Sequence, residues 1–255
     1  MRHVPSGDAD LVDEIVTLKV RGDVTQSYLL ASEGGTRPQV VALMFPGGAG
    51  VVGLPTDVNR LRLGSNFLVR TRDLFRDSEV AVAILDAPSD QSLGMSDGFR
   101  TGKEHSLDVG VVVNDLRARF PTAKLFLVGT SRGTVSAAYV GRTLGARIDG
   151  VVLSSTVFLP NRNGVGGALH AFEFESIPAP LLFVHHAEDR CELCPYSWAR
   201  ELGRKHPLIT VRGGGKALSG ECDALSAHGY IGKEAETVAA IKNWMLGRPY
   251  PSVIE

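Results

Sequence analysis

Through its centre the chain reads Leu125-Phe126-Leu127-Val128-Gly129-Thr130-Ser131-Arg132-Gly133-Thr134-Val135-Ser136-Ala137-Ala138, and this passage changes character twice. Its first four residues have the length and composition of a strand buried on both faces, and its last five suit the opening of a helix. Between them two glycines bracket a serine as G-x-S-x-G. In a strand-turn-helix context those glycines let the chain turn sharply enough to push the Ser131 hydroxyl into the open at a helix N-terminus. With 29 glycines in 255 residues, the pattern would arise by chance somewhere in roughly one such chain in five, so its position carries the argument. The competing reading is a glycine-rich turn in which Ser131 only caps the helix.

Outward from this point the chain keeps the same rhythm. Val80 to Leu85, Val151 to Leu153 and Leu181 to Val184 are further short apolar runs, and Glu104 to Arg119, Thr134 to Leu144, Pro195 to Lys205 and Lys233 to Leu246 read as helices between and after them. The first of these helices puts Leu107, Val111 and Leu116 at spacings that share a face, and it stops at Phe120-Pro121. Nearer the N-terminus, Leu11 to Val20 alternates, Gln26 to Ala31 is a short run, and Val40 to Phe45 is continuously apolar. Antiparallel strands followed by repeated strand-helix units predict an α/β fold: a mostly parallel sheet, helices on both faces, and an antiparallel edge from the N-terminal strands. No repeat or linker divides the chain, so residues 1–255 read as one domain.

In such a sheet the chemistry sits where strands end at their carboxyl side. After Val40 to Phe45 stands Pro46-Gly47-Gly48-Ala49-Gly50, whose small residues let a main-chain N–H approach a substrate. The N–H of Gly48, paired with that of Arg132 beside the serine, is the candidate oxyanion hole, against an ordinary glycine-rich turn. After Leu181 to Val184 comes His185-His186-Ala187-Glu188-Asp189, and Ser226-Ala227-His228-Gly229-Tyr230 precedes the last helix. Ser131, Asp189 and His228 then form a nucleophile, an acid and a base in that chain order. Glu188 is the rival acid, and His185 and His186 read as structural. Arg100 and His105 follow the loop after Asp86-Ala87-Pro88; they are candidate substrate contacts, against a solvated loop and helix start. Arg132 either attracts an anionic substrate group or points outward.

Through FPGGAG (45–50), GTSRG (129–133), HHAED (185–189) and AHGY (227–230) the chain resembles the α/β-hydrolase superfamily over nearly its whole length. More closely it resembles small, often exported bacterial hydrolases that share DAPSD (86–90), GTSRGT (129–134) and HHAEDRC (185–191), with a cysteine shortly before the catalytic histidine. The resemblance implies an eight-stranded, mostly parallel sheet with Ser131 as nucleophile, Asp189 as acid and His228 as base. Pro46 departs from it, because many relatives have His before the glycines.

Cys191-Glu192-Leu193-Cys194 reads as C-x-x-C, but a zinc or redox site finds only Cys222 and nearby histidines to complete it. The triad suggests instead a Cys191–Cys222 disulfide between the acid and base loops, with Cys194 free; unpaired buried thiols are the alternative. An oxidised pair predicts a periplasmic or secreted protein whose leader has been trimmed, whereas a complete chain with reduced thiols predicts the cytoplasm. The start is polar, no apolar run is long enough to span a bilayer, and 27 basic against 28 acidic residues give no field that draws the chain to nucleic acid. The expected activity is hydrolysis of an ester or related acyl bond in a small or soluble molecule, through an acyl-enzyme, with no cofactor and no metal. Between Leu153 and Leu181, Asn161 to Gly167 leaves room for only a minimal cap. A non-catalytic ligand-binding protein of the same fold is the second reading, and a cysteine-based redox or metal protein the third.

Overall fold

The computed structural model describes residues 11–160 and 167–255. Strands β1 (Leu11–Arg21), β2 (Val24–Glu33), β3 (Val40–Phe45), β4 (Val80–Leu85), β5 (Lys124–Thr130), β6 (Gly150–Ser154), β7 (Leu181–His186), β8 (Leu208–Val211) and β9 (Val253–Ile254) form one sheet in the order β1-β2-β4-β3-β5-β6-β7-β8-β9. The β1–β2 and β2–β4 pairs are antiparallel and the others parallel, so the N-terminal strands make the antiparallel edge. Among the described residues the sheet has nine strands rather than eight. Near the chain's end, Val253 and Ile254 pair with Thr210 and Val211 and add a two-residue strand whose β-branched residues gave too short an apolar run to stand out.

All residues of β3, β4 and β7 are buried, as strands covered on both faces must be. Their side chains alternate between two cores. Val41, Leu43 and Phe45 face α4 (Lys103–Arg119), α5 (Gly133–Leu144) and α6 (Tyr196–Leu202), while Val40, Ala42 and Met44 face α1 (Phe67–Arg70), α2 (Arg72–Phe75) and α7 (Glu234–Met245). A short α3 (Asp97–Thr101) precedes α4. The expected stripe on α4 is only partly right: Leu116 is buried, but Leu107 is 52% exposed. The covered face runs through His105, Asp108, Val109, Val112, Val113 and Leu116 instead. Two ionisable residues on that face hide it from a search for apolar periodicity.

The strand order reverses at β3. From β3 the chain moves outward to β4, then crosses back to β5 on the other side. The carboxyl ends of β3 and β5 therefore lie side by side, Phe45 in register with Gly129, and their connections diverge to leave a crevice there. Two glycines make the close approach at this point. A Cβ on Gly129 would lie 2.6 Å from the carbonyl oxygen of Gly133, and one on Gly133 would strike the Phe45 carbonyl and lie 2.9 Å from that of Pro46. The spacing of G-x-S-x-G thus follows from α5 packing directly beneath the end of β3.

Candidate active site

Ser131 occupies the turn between β5 and α5 with φ +51°, in the left-handed region that side chains disfavour. Its N–H donates to Ser154 O at 3.0 Å, and its carbonyl accepts from Thr134 N at 2.9 Å and Thr134 Oγ1 at 2.6 Å. The turn is held from both sides. Only two other described non-glycine residues have positive φ, Ser155 at +45° and Tyr230 at +61°, and both belong to the support of His228.

His228 lies on a one-turn helix, Ala227–Gly229, in the loop between β8 and α7. Ser226 Oγ accepts from its backbone N–H at 3.2 Å, and Ser155 Oγ donates to its carbonyl at 2.7 Å. Tyr230, fully buried, donates its phenol to Val184 O at 2.8 Å and lies 2.9 Å from Ser155 Oγ. Burial raises the phenol's pKa above its ordinary value, so it stays protonated as a donor. The ring of His228 meets Asp189 through Nδ1 and Oδ2 at 2.8 Å, with the Asp189 side chain wholly buried. Asp189 Oδ1 accepts from Cys191 N at 2.9 Å, which fixes the plane of the carboxylate. A carboxylate accepts, so Nδ1 carries the hydrogen, and in the neutral ring Nε2 is the nitrogen with the lone pair. Nε2 is buried and has no hydrogen-bond partner among the described residues.

Ser131 and His228 line one cleft of about 440 Å³, with Gly47, Gly48, Asn66 and Leu225 also in its wall. It opens at the reversal point of the sheet. A hydroxyl, an imidazole with a free nitrogen and a buried carboxylate on its other nitrogen are the groups that proton transfer to and from an oxygen requires. Cys191 and Cys222 are joined by a disulfide that ties the Asp189 loop to the loop before His228, and Cys194 is free and buried.

Glu188 does not approach His228. Its Oε2 accepts from Gly213 N at 3.1 Å and lies 3.1 Å from His186 Nδ1. His186 uses Nε2 on Gly213 O at 2.9 Å, while His185 accepts from Thr156 N at 2.7 Å and stacks on Phe158. Burial lowers the His185 pKa to about 3, against the partly offsetting charge of Asp189. Both histidines belong to the framework.

Arg100 and His105 are neither in contact with the cleft nor in a solvated loop; each is 0% exposed. α3 and α4 fold against the inner face, so Arg100 runs beneath the glycine loop, donating to Ser136 Oγ at 3.0 Å and to Gly48 O at 3.1 Å. Desolvation, then the nearby Arg132 charge, lowers its pKa to about 10. His105 is enclosed by Phe45 and Phe99, neither ring nitrogen has a hydrogen-bond partner among the described residues, and burial followed by the Arg100 charge lowers its pKa to about 3. Arg132 also turns from the cleft. It pairs with Asp97 at 2.7 Å and donates to Gly48 O at 3.2 Å, so its charge is neutralised at α3 instead of being offered to a substrate.

The cap segment between β6 and β7 falls partly on Asn161 to Gly166, outside the described residues. Its described parts pack on the body, with Leu169, Phe172 and Phe174 buried, and none of them lines the cleft. Ser65 and Asn66 in the cleft wall, and the Ser155–Tyr230 support, are what the sequence reading missed. Ser154-Ser155-Thr156, the last residue of β6 and the two that follow it, was the available signal, since it occupies a strand's carboxyl end.

No protein-family model matches the chain, and no curated protein does. Solved structures do. Est1E from Butyrivibrio proteoclasticus superimposes with a TM-score of 0.61 at 12% identity, over 91% of this chain and 98% of its own. A cold-adapted esterase from an Arctic intertidal metagenomic library gives 0.59 at 16% identity, over 93% and 97%. XC6422 from Xanthomonas campestris, described as an α/β serine hydrolase without a lid, gives 0.57 at 16%, over 92% and 97%. At these identities the likeness is one of fold. Among the described residues no helix is long and apolar enough to cross a membrane.

Proposed function

We propose that this chain, built on the α/β-hydrolase fold it shares with those structures, is a serine hydrolase that cleaves an ester or related acyl bond of a small or soluble substrate. One observation carries the reading: His228 has Asp189 on Nδ1 at 2.8 Å and an unpartnered Nε2, in a cleft shared with Ser131. In this reading Nε2 takes the Ser131 proton as Oγ attacks the acyl carbon, and the resulting imidazolium is stabilised by Asp189. The carbonyl electron pair moves onto oxygen, which the N–H groups of Gly48 and Arg132 receive. Each such donor contributes on the order of a hundredfold or more in rate. The tetrahedral species collapses as His228 returns the proton to the leaving alcohol, leaving the acyl group on Ser131. Water then repeats the sequence, with His228 again as base, and releases the acid. No cofactor enters these steps.

A small or soluble substrate is supported by the cleft volume of about 440 Å³ and by its polar wall, which includes Ser65, Asn66, Ser219 and Asp223. An ester, rather than another acyl bond, is supported by the cold-adapted esterase named above, which shares the fold. The test is labelling by a fluorophosphonate probe, wild type beside Ser131→Ala. Labelling of wild type and its loss in the variant supports the hydrolase. Folded wild type that stays unlabelled and turns over no short p-nitrophenyl ester refutes it in favour of a ligand-binding protein.

A further inference from the structure

The disulfide conceals a second set of ligands. Cys191 Sγ, Cys194 Sγ and a ring nitrogen of His228 lie within 4.8 Å of one another, and all three residues are buried. Cys191 is bonded to Cys222, which spends its sulfur valence and leaves no thiolate to coordinate. Cys222, however, is exposed and lines the cleft, so its sulfur is the one a reductant reaches.

A dithiol attacking Cys222 Sγ breaks the S–S bond and expels Cys191 as a thiolate beside Cys194. The second thiol of the reductant then displaces Cys222 and leaves as a cyclic or protein disulfide. Two electrons and two protons pass to the chain. What remains is three thiols, with Cys191 and Cys194 beside the imidazole of His228 and Cys222 next to Cys191 at the cleft. Cys191 and Cys194 have the C-x-x-C spacing of a zinc half-site.

We propose that reduction turns this locus into a site for a thiophilic divalent cation of the zinc class, held by Cys191, Cys194, Cys222 and His228, and that occupancy switches off His228. Tetrahedral zinc at ordinary bond lengths wants its ligand atoms about 3.8 Å apart, so the three atoms already within 4.8 Å need close by only about 1 Å. The S–S bond holds Cys222 Sγ against Cys191 Sγ, and once reduction frees it the side chain must swing toward Cys194 and His228 to supply the fourth ligand. Binding releases three thiol protons, and the Cys₃His centre with a dication carries a net charge of about −1.

Loss of activity follows whichever ring nitrogen coordinates. Through Nε2 the metal occupies the lone pair that would accept the Ser131 proton; through Nδ1 it displaces Asp189. This part rests on the hydrolase reading, whereas the metal site itself does not. The site also gives Cys194 a role that neither the disulfide nor the proposed reaction supplies.

The experiment titrates Zn²⁺ into the purified full chain against a chromophoric chelator, oxidised and after phosphine reduction. Co²⁺ is used in parallel, for its thiolate charge-transfer and tetrahedral d–d absorption. One equivalent bound by the reduced protein only, with thiolate bands, is the expected result. Cys194→Ser should keep the disulfide and the oxidised protein's ester hydrolysis, and weaken metal binding by on the order of 10–100-fold or more. Should reduction unfold the chain, Cys222→Ser frees Cys191 beside Cys194 without a reductant and should bind Zn²⁺ through the remaining three residues. The proposal is overturned if reduced wild type and Cys222→Ser bind no more Zn²⁺ than the oxidised protein, or if Cys194→Ser binds as tightly as wild type. A bound, thiolate-ligated metal in a protein that fluorophosphonate never labels would refute the hydrolase reading and leave the site standing.

Discussion

His105 should set much of the protein's sensitivity to acid, and His105→Leu isolates its share. In the folded chain the imidazole is enclosed between Phe45 and Phe99 with both nitrogens unpartnered, and burial lowers its pKa from 6.5 to about 3. Between those values the unfolded chain binds a proton at this position and the folded chain does not. Stability therefore rises with pH across that window and is lost as pH falls from 6.5 toward 3. At pH 5 the unfolded state gains about 2 kcal/mol from protonating one such histidine. His185, whose pKa is lowered alike to about 3, doubles this to about 4 kcal/mol, a large part of the 5–15 kcal/mol that holds typical domains together. His105→Leu should lie within about 1.5 kcal/mol of wild type at pH 7.5. There the lost packing of the ring is offset by removal of an unsatisfied buried donor. Between pH 7.5 and pH 5 it should lose about 2 kcal/mol less than wild type. Urea unfolding of both proteins at the two pH values, under oxidising conditions, measures this double difference, in which every other titrating group cancels. Parallel losses in the two proteins would mean that the imidazole protonates inside the fold, and the reasoning would be wrong.

Three other perturbations probe the site's supports. Ser155→Ala removes the hydroxyl 2.7 Å from the His228 carbonyl and 2.9 Å from Tyr230 Oη; kcat for a short p-nitrophenyl ester should fall roughly 10–100-fold with KM little changed, because a displacement near 1 Å costs that much. Arg100→Lys cannot reach Ser136 Oγ and Gly48 O together as the planar guanidinium does; steady-state kinetics should show kcat reduced about tenfold or more, with fluorophosphonate labelling slowed in proportion. Cys222→Ser opens a loop of sequence separation 31 and should destabilise the fold by roughly 3–4 kcal/mol, read as a lowered unfolding midpoint in guanidinium without added metal.

The layered sheet was legible because its strands are apolar without interruption. Val40–Phe45 and Val80–Leu85 stand in the structure at the bounds their composition suggests, since both faces of each strand are buried and no polar residue blurs the run. Failures occur where burial and polarity coincide. Arg100, His105 and Asp108 are each 0% exposed, and a reading that sends charged residues to solvent or to substrate has no place for them. Short elements were also lost: the two residues of β9 pair only because the chain end returns past α7 to Thr210 and Val211. The Ser131, Asp189 and His228 positions could be proposed because each follows a strand or precedes the last helix, where this topology exposes polar groups. Ser155 also stands at a strand's carboxyl end, but its pairing with Tyr230 was not legible, because it is a tertiary contact between the end of β6 and the loop after β8.

That contact explains where the fold departs from relaxed geometry. Among the described residues, the non-glycine left-handed positions are Ser131, Ser155 and Tyr230, and they form one connected group. Ser131 N–H reaches Ser154 O, Ser155 Oγ reaches the His228 carbonyl and Tyr230, and Tyr230 reaches Val184 O. Each such backbone conformation costs on the order of 1–3 kcal/mol, so three of them together would not persist unless the surroundings imposed them. The surroundings do: β5, β6 and β7 are parallel neighbours, and all three residues are pinned at or against the carboxyl ends of these strands. On the other side of the cleft, Gly48 adopts φ +60°, which glycine does without strain, and its carbonyl accepts from both Arg100 and Arg132. Only Arg132 has a carboxylate partner there, Asp97, so the buried Arg100 guanidinium is tolerated at the cost that its lowered pKa records. A charge buried beneath a glycine loop is a poor way to stabilise a fold. It is a direct way to hold one backbone segment still beside Ser131, which is what the oxyanion role proposed for the Gly48 N–H would require.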